Sequence, residues 1–190
     1  MADKEKSKRI ALLEATLSLV SNNGFHNAPM SKIAKLADVS PGTIYLYFDN
    51  KQDLVDSLYL KTKEAFTDAA FQGYSKDMPV KEGFKHVWHN MVEYKMNNRM
   101  EANVLSRCDN SPIISEEIRE KALKHLQPLL DLWKRGQQEG IIRQASPYLL
   151  YANAVYPLSF FVAVEEREEH HLSEELRQEA FQMAWNAIKA

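Results

Sequence analysis

Apolar residues recur along this 190-residue chain at helical spacing, three and four positions apart, while the alternation typical of strands is nearly absent. The first stripe runs from Ile10 to Val20 and ends at Asn23-Gly24, a helix stop. Further stripes cover residues 54–69 and 80–94, and residues 99–109 fit another short helix. The pattern predicts an all-α fold of about nine helices, well above the usual helical content of soluble proteins.

Helix starts in the second half of the chain carry capping residues. Ser115-Glu116-Glu117 combines a capping hydroxyl with two carboxylates at the positions that a helix N-terminus favours. We expect this helix to continue to Gly140. Ser173-Glu174-Glu175 repeats the arrangement and predicts the start of the last helix.

The segment between these two helices is unusually apolar. Ser146-Pro147 predicts its helix start, and the apolar run extends from Tyr148 to Val164, with a kink expected at Pro157. A helix that is apolar on all sides does not suit the surface of a monomer. With the amphipathic helix 173–189, it predicts half of a four-helix bundle across a two-fold axis. Burial within one subunit is the alternative.

Residues 24–54 have the pattern of a helix-turn-helix. A short helical stretch, Met30 to Ala37, runs into the tight turn Asp38-Val39-Ser40, and a second segment opens at Pro41-Gly42-Thr43. Two helices joined by such a turn place the second one in a DNA major groove. Glycine allows close approach of the backbone, and Thr43 is the first side chain able to touch a base edge.

Side chains after this opening reach further along the DNA. The hydroxyls of Tyr45 and Tyr47 are long enough to contact phosphate, and Lys51 can add a charge-assisted bond. The alternative is that Tyr45 and Phe48 simply pack the small domain. The predicted DNA-binding residues are Ser31, Lys32, Ser40, Pro41, Gly42, Thr43, Tyr45, Tyr47 and Lys51.

These residues carry a family resemblance. Residues 10–55 resemble the N-terminal domain of the TetR family of transcriptional regulators. The matching positions are Gly24-Phe25, Ile33-Ala34, Ala37-Asp38-Val39-Ser40, Gly42-Thr43-Ile44-Tyr45, Tyr47-Phe48, and Lys51 with Leu54. The resemblance covers about the first quarter of the chain.

Membership of this family implies a homodimer that reads an inverted-repeat operator in double-stranded DNA and usually represses. It implies a DNA-binding domain in residues 1–50 and a helical effector-binding and dimerisation domain in residues 51–190. Two positions depart from the family's pattern. Its threonines at the start of the first motif helix correspond to Ala28-Pro29-Met30, so the expected phosphate contact is either missing or made by Ser31. Its turn glycine is Asp38, a residue that tolerates left-handed backbone.

Charge and cysteine content add little to this picture. Net charge is -2 at pH 7, but residues 1–51 hold seven basic and five acidic residues, whereas residues 165–179 hold seven acids and two arginines. The asymmetry suits a DNA-binding front. The single cysteine, Cys108, excludes an internal disulfide and suits a reducing cytoplasm. No signal peptide or transmembrane span is predicted, because no uninterrupted apolar run reaches about 18 residues.

Large aromatic and methionine side chains concentrate in residues 80–165. Such residues can enclose a cavity for a small hydrophobic or aromatic effector, although they more often form plain core. The resemblance favours the cavity. The predicted ligand-binding residues are Trp88, Met91, Tyr94, Met100, Trp133, Tyr156 and Phe160.

Other chemistry is poorly supported. His86, His89 and Glu93 share a helix face at a spacing that can hold zinc, but a second helix would have to complete the site, so no metal or cofactor is predicted. No catalytic arrangement is readable, so no enzyme is predicted. Two functions remain: a repressor released by a small effector, and a DNA-binding architectural or adaptor protein that acts through a protein partner.

Overall fold

The computed structural model describes residues 2–109, 111–166 and 173–190. Ten α-helices and one 3-10 helix cover most of these residues, and their only β-pairing is an isolated antiparallel bridge between Ile142 and Lys189. The helices are α1 Ala2–Asn23, α2 Met30–Leu36, the 3-10 helix Thr43–Leu46, α3 Lys51–Phe71, α4 Val80–Asn97, α5 Arg99–Asp109, α6 Glu116–His125, α7 Gln127–Gln138, α8 Pro147–Ala154, α9 Leu158–Glu166 and α10 Glu174–Ile188. The all-α prediction is therefore confirmed.

The chain divides into two compact units. Unit 1 contains residues 1–64 and 100–122, and unit 2 contains residues 65–99 and 123–190. The division falls inside α3, after residue 64, and the chain returns to unit 1 at residue 100 and to unit 2 at residue 123. This division is therefore not a single boundary at residue 50. A domain boundary at that position remains a proposal.

The core of unit 1 forms where α1 and α2 pack together. α1 contributes Leu12, Leu13 and Val20, and α2 contributes Ile33 and Ala34, all of them at most 1% exposed. α1 ends as predicted, with Gly24 following it at φ +74°. Glycine adopts this left-handed conformation without steric cost.

A polar cluster joins α3 to α5 within unit 1. The Lys63 ammonium lies 3.0 Å from the Asp109 carboxylate, and the Tyr59 hydroxyl donates to the same carboxylate at 2.8 Å. Arg119 on α6 donates to the backbone carbonyls of Cys108, Asp109 and Ser111. The guanidinium thereby satisfies carbonyl groups that the end of α5 leaves without helical partners.

Unit 2 is built on α4, which packs against α7, α9 and α10. Its centre is aromatic. The centre of the Phe84 ring lies 6.2 Å from the centre of the Trp133 ring and 6.1 Å from that of Phe181. Trp88 packs edge-on against Phe181, with ring centres 5.6 Å apart. Burial of these large rings supplies much of the hydrophobic stabilisation of the unit.

Two helices predicted as continuous are broken. The helix expected from residue 115 to 140 stops at His125 and restarts at Gln127, because Pro128 in the first turn of α7 cannot donate a backbone hydrogen bond. The apolar helix expected from Tyr148 to Val164 is interrupted by a turn at residues 155–157. Pro157 therefore separates two helices where a kink was expected.

The apolar segment Pro147–Glu165 remains largely uncovered. Its most apolar stretch has a mean hydropathy of 1.3, and 28% of that stretch is buried. By length and composition alone it could cross a membrane, which is weak evidence because it folds as the two short helices α8 and α9. The acidic run predicted at residues 165–179 falls partly outside the described residues.

Candidate nucleic-acid interface

The helix-turn-helix consists of α2, a turn and the 3-10 helix Thr43–Leu46. Asp38 holds the left-handed turn position at φ +52°, the only positive φ among the described non-glycine residues. The next amide, of Val39, donates to the Ala34 carbonyl at 3.0 Å and closes the end of α2. Asp38 thus fills the position of the family's turn glycine, as expected from its tolerance of this conformation.

Four buried side chains fix the motif to the rest of unit 1. Ile33, Ala34, Ile44 and Phe48 are each at most 1% exposed. Ile44 anchors the second segment from its inner side, and Phe48 anchors the residues that follow it. The remaining side chains of the motif are thereby directed to the surface on a rigid support.

Ser40 and Thr43 cap the start of the second segment. The Thr43 amide donates to the Ser40 hydroxyl oxygen at 3.3 Å, and the two hydroxyl oxygens lie 2.7 Å apart in a mutual hydrogen bond. This arrangement resembles the capping of a helix N-terminus. It also engages the Thr43 hydroxyl in one hydrogen bond and leaves that hydroxyl, with the neighbouring methyl group, able to make further contacts.

Gly42 lies in open space. Its backbone conformation is ordinary for any residue (φ −74°), and a β-carbon built on it would meet nothing within 4 Å. No contact with the residues that the structure describes therefore requires glycine here. A requirement from outside the protein, such as close approach to DNA, would account for it.

The side chains that follow Ile44 in the sequence differ in how far they are exposed to solvent. Tyr45 is 56% exposed and Leu46 is 81% exposed, whereas Tyr47 is half-buried. Ser31, Lys32, Ser40 and Pro41 are all exposed. Leu46 is not among the residues predicted from the sequence, although its position between Tyr45 and Tyr47, in a motif with one side facing solvent, is a signal for it.

Lys51 has a partner inside the protein. Its ammonium donates to the Phe25 carbonyl at 2.5 Å and joins the start of α3 to the loop after α1. Ala28 in that loop is fully buried, and Pro29 precedes α2 without a side-chain cap. Of the three positions that correspond to the family's threonines, only Ala28 is buried, while Pro29 is exposed and Met30 is half-buried.

Arg9 is a second residue that the sequence reasoning missed. Its guanidinium lies 5.0 Å from the centre of the Phe48 ring and donates to the Ser57 hydroxyl at 3.3 Å. It therefore clamps the end of the motif from α1 by a cation–π contact. No short-range pattern in the sequence relates Arg9 to Phe48, which lies 39 positions away.

The predicted ligand-binding residues fall into three environments. Trp88, Met91 and Trp133 are at most 1% exposed in the core of unit 2, and Tyr94 is half-buried with its ring 5.5 Å from Phe66. Tyr156 and Phe160 are 47% and 63% exposed on the outer side of unit 2. Met100, at 44% exposed, belongs to unit 1.

Two tryptophans of the core differ in hydrogen bonding. The Trp88 indole N–H donates to the Ala154 carbonyl at 2.8 Å. The Trp133 indole N–H is buried and has no acceptor among the described residues. An unsatisfied buried donor costs about 1–3 kcal/mol.

The histidine pair and the cysteine have structural surroundings. His86 Nε2 hydrogen-bonds the Gln72 carbonyl at 2.7 Å, and Glu93 pairs with Arg177. The ring of His89 packs 5.6 Å from Phe181, and burial lowers its pKa. No group of three potential metal ligands occurs within the described residues. Burial raises the pKa of the Cys108 thiol to about 12, the opposite of what a redox-reactive thiol needs.

Comparisons with known proteins agree with this geometry. The family model for bacterial regulatory proteins of the tetR family matches residues 12–58. The family model for the tetracyclin repressor-like C-terminal domain matches residues 59–190. The chain belongs to the TetR family. Regulators of this family are soluble DNA-binding proteins that dimerise on operators and bind small effectors.

Individual TetR-family relatives cover different shares of the chain. A TetR family regulator from Marinobacter aquaeolei VT8 has 28% identity and a TM-score of 0.92, with 100% of this chain and 99% of that chain covered. The fatty acid metabolism regulator protein of Bacillus subtilis is 34% identical over 79 residues, which are 42% of this chain and 41% of that protein. FadR from Bacillus subtilis, solved in complex with stearoyl-CoA, has 23% identity and a TM-score of 0.74 over 94% of this chain and 98% of that chain, a likeness that shows the fold.

Proposed function

We propose that this TetR-family protein is a cytoplasmic, non-enzymatic transcriptional repressor that binds an inverted-repeat operator and is released by a small hydrophobic effector. The supporting observation is the helix-turn-helix itself. Its apolar side chains Ile33, Ile44 and Phe48 are buried. On the opposite side Thr43 is half-buried and Tyr45 is exposed. Gly42, which precedes them, has open space around it. This arrangement suits insertion of the second segment into a major groove.

We infer that the effector enters unit 2 beside the aromatic cluster of α4, α7 and α10. The Trp133 N–H without an acceptor supports this position, because a ligand oxygen could satisfy it. The Bacillus subtilis comparisons connect to fatty acids, through the name of the fatty acid metabolism regulator protein and through the stearoyl-CoA bound to FadR, so acyl compounds are the first probes. The effector would release the operator only by binding the DNA-free conformation more tightly.

Dimerisation through α8, α9 and α10 is supported by their exposed apolar side chains. Tyr148, Leu149, Phe160 and Met183 are between 59% and 77% exposed. Large apolar side chains left exposed on these helices suit an interaction site, and a two-fold dimer would cover them with the same surface of a second copy.

An adaptor without a small effector is the second candidate. It is favoured by the complete burial of Met91 and the near-complete burial of Trp88, two predicted lining residues that already have packing partners. In that case a protein partner, rather than a ligand, would control the time spent on DNA.

Fluorescence polarisation distinguishes the two candidates. Operator DNA is selected from random duplexes, bound to the protein and titrated with stearoyl-CoA and with shorter acyl-CoA compounds. Release of the operator by an acyl compound but not by free CoA supports the repressor. Release by none of them, with one protein co-purifying with the DNA-bound chain, supports the adaptor.

The Trp133→Phe variant locates the effector within this experiment. It removes the N–H donor and keeps an aromatic ring, and Trp88→Phe is the matched control because its N–H is already bonded to Ala154. We expect Trp133→Phe to weaken release by an acyl-CoA about tenfold, as loss of one hydrogen bond allows. Equal effects of both variants would contradict the inferred position.

A further inference from the structure

Leu46 has the largest exposed fraction of any large apolar side chain that the structure describes, 81%. It is the last residue of the 3-10 helix Thr43–Leu46, in the segment that the proposed function inserts into DNA. Its neighbours in the sequence contribute to a rigid support, because Ile44 is fully buried and Phe48 is 1% exposed. Leu46 therefore projects from a fixed backbone and contributes little to the packing of the protein.

The 3-10 geometry places Leu46 on the same ridge as Thr43. Such a helix has three residues per turn and rises about 2 Å per residue, so side chains three positions apart are aligned and lie about 6 Å apart along the axis. Ile44 marks the inner side of this helix, and the ridge of Thr43 and Leu46 is not part of it. In a segment whose axis runs along the major groove, two side chains about 6 Å apart would contact different base pairs, because base pairs are stacked about 3.4 Å apart.

The chemistry of leucine restricts what it can recognise. It carries neither a donor nor an acceptor, and the apolar feature that a base edge presents in the major groove is the C5-methyl group of thymine. Contact between the leucine methyl groups and that methyl group removes both from water. The hydroxyl of Thr43 forms one hydrogen bond with Ser40, and the apolar part of this ridge consists of the Thr43 methyl group and the Leu46 methyl groups.

We propose that Leu46 is a specificity-determining residue that reads the methyl group of one thymine in each operator half-site, at a base pair other than the one contacted by Thr43. The proposal rests on the proposed DNA-binding function. It adds a definite chemical preference, for thymine over both cytosine and uracil, at a position that no polar side chain of the motif would specify.

Deoxyuridine substitution tests this directly, because it removes the thymine methyl group and leaves base pairing unchanged. The preferred operator is first selected from random duplex DNA with the full-length protein. Each thymine of the half-site is then replaced by deoxyuridine in turn, in both half-sites together. Loss of one methyl contact is worth about fourfold in affinity per half-site, and therefore about fifteenfold for the two.

We expect one position at which the wild-type protein prefers thymine by about this factor, and at which Leu46→Ala shows no preference. Leu36→Ala is the matched control. Leu36 is also exposed, at 54%, but it lies on α2 outside the second segment, so its variant should keep the preference. Circular dichroism of both variants should match the wild type, because neither side chain is buried.

Retention of the full preference by Leu46→Ala would overturn the proposal, and so would a wild-type protein that is indifferent to deoxyuridine at every thymine. Both results would leave operator binding itself intact. Failure to select any preferred duplex would instead refute the proposed function together with this inference. If Leu46→Ala changes the oligomeric state but not the preference, the side chain contacts protein and the proposal is again wrong.

Discussion

Thr43 and Tyr47 occupy the same recognition segment but are expected to contact different parts of the DNA. Thr43→Ala should change the preference among operator sequences, because base edges carry the sequence information. Tyr47→Phe should weaken binding to all sequences alike, by about threefold to tenfold, because one hydroxyl contact to phosphate is lost. Parallel binding curves against a set of operator variants measure both effects. An equal loss of specificity in the two variants would contradict the assigned roles.

Cys108 should be inert in the folded protein. Burial, followed by the charge of Asp109, raises its pKa from 9.0 to about 12. At pH 8 the thiol is therefore protonated and covered, and we expect a thiol reagent to label it only as fast as the protein unfolds. Rapid labelling of the native protein at pH 8 would show that the thiol is accessible.

The same shift predicts a stability change at alkaline pH. A folded pKa above the unfolded value means that the folded state holds its proton more tightly. The corresponding stability is complete below about pH 9 and declines as pH rises toward about 12. Burial also raises the pKa of Tyr59, which reinforces the decline above about pH 10. Cys108→Ala should flatten the part of the urea-unfolding profile that lies between pH 9 and 10.

At the scale of elements, Lys51 connects α3 to the loop after α1, and it was also predicted to bind phosphate. Its ammonium has three donors, so the bond to the Phe25 carbonyl leaves donors for DNA. Lys51→Met should lower the free energy of unfolding by about 1–2 kcal/mol, as expected for a half-buried charged hydrogen bond. It should also reduce the slope of log affinity against log salt by about 0.9 per half-site.

The exposed Lys134 on α7 provides the control, since Lys134→Met should change neither quantity. A stability loss with an unchanged salt slope would mean that Lys51 only holds the protein together. A reduced salt slope with an unchanged free energy of unfolding would mean that the contact with Phe25 contributes little to stability.

Helix boundaries were predictable where a capping residue marks them. Ser146 and Ser173 accept the amides of Leu149 and Leu176 as expected, and Gly24 ends α1 with a positive φ. The break near Leu126 was missed because the apolar spacing continues through it and conceals the effect of Pro128. Periodicity reports which side of a helix is apolar, not whether the backbone is continuous.

The residues of the helix-turn-helix could be identified from the sequence, but their partners could not. The pattern located Ser40, Thr43 and Lys51. It gave no indication that Lys51 reaches the Phe25 carbonyl, 26 positions earlier in the chain. Contacts of this length depend on how α1 and α3 pack, which local spacing does not encode.

For the whole molecule, the exposed apolar side chains of α8 to α10 should hold two copies together. Phe160→Glu places a charge on that surface and should convert the dimer to a folded monomer with greatly weakened operator binding, because a dimer contacts two half-sites. Analytical ultracentrifugation with circular dichroism measures both. Gln138→Glu, at an exposed position on α7, should remain dimeric. A Phe160→Glu protein that stays dimeric would place the interface elsewhere.

The central claim is that this TetR-family chain reads a specific inverted repeat, and selection from random duplex DNA in the presence of excess bulk DNA tests it most directly. The expected result is one enriched pair of inverted half-sites with centres about one helical turn, about 34–36 Å, or a multiple of it apart. Affinity for this site should exceed that for bulk DNA by at least about a thousandfold at physiological salt. Enrichment of no sequence over bulk DNA at that salt concentration would contradict the claim.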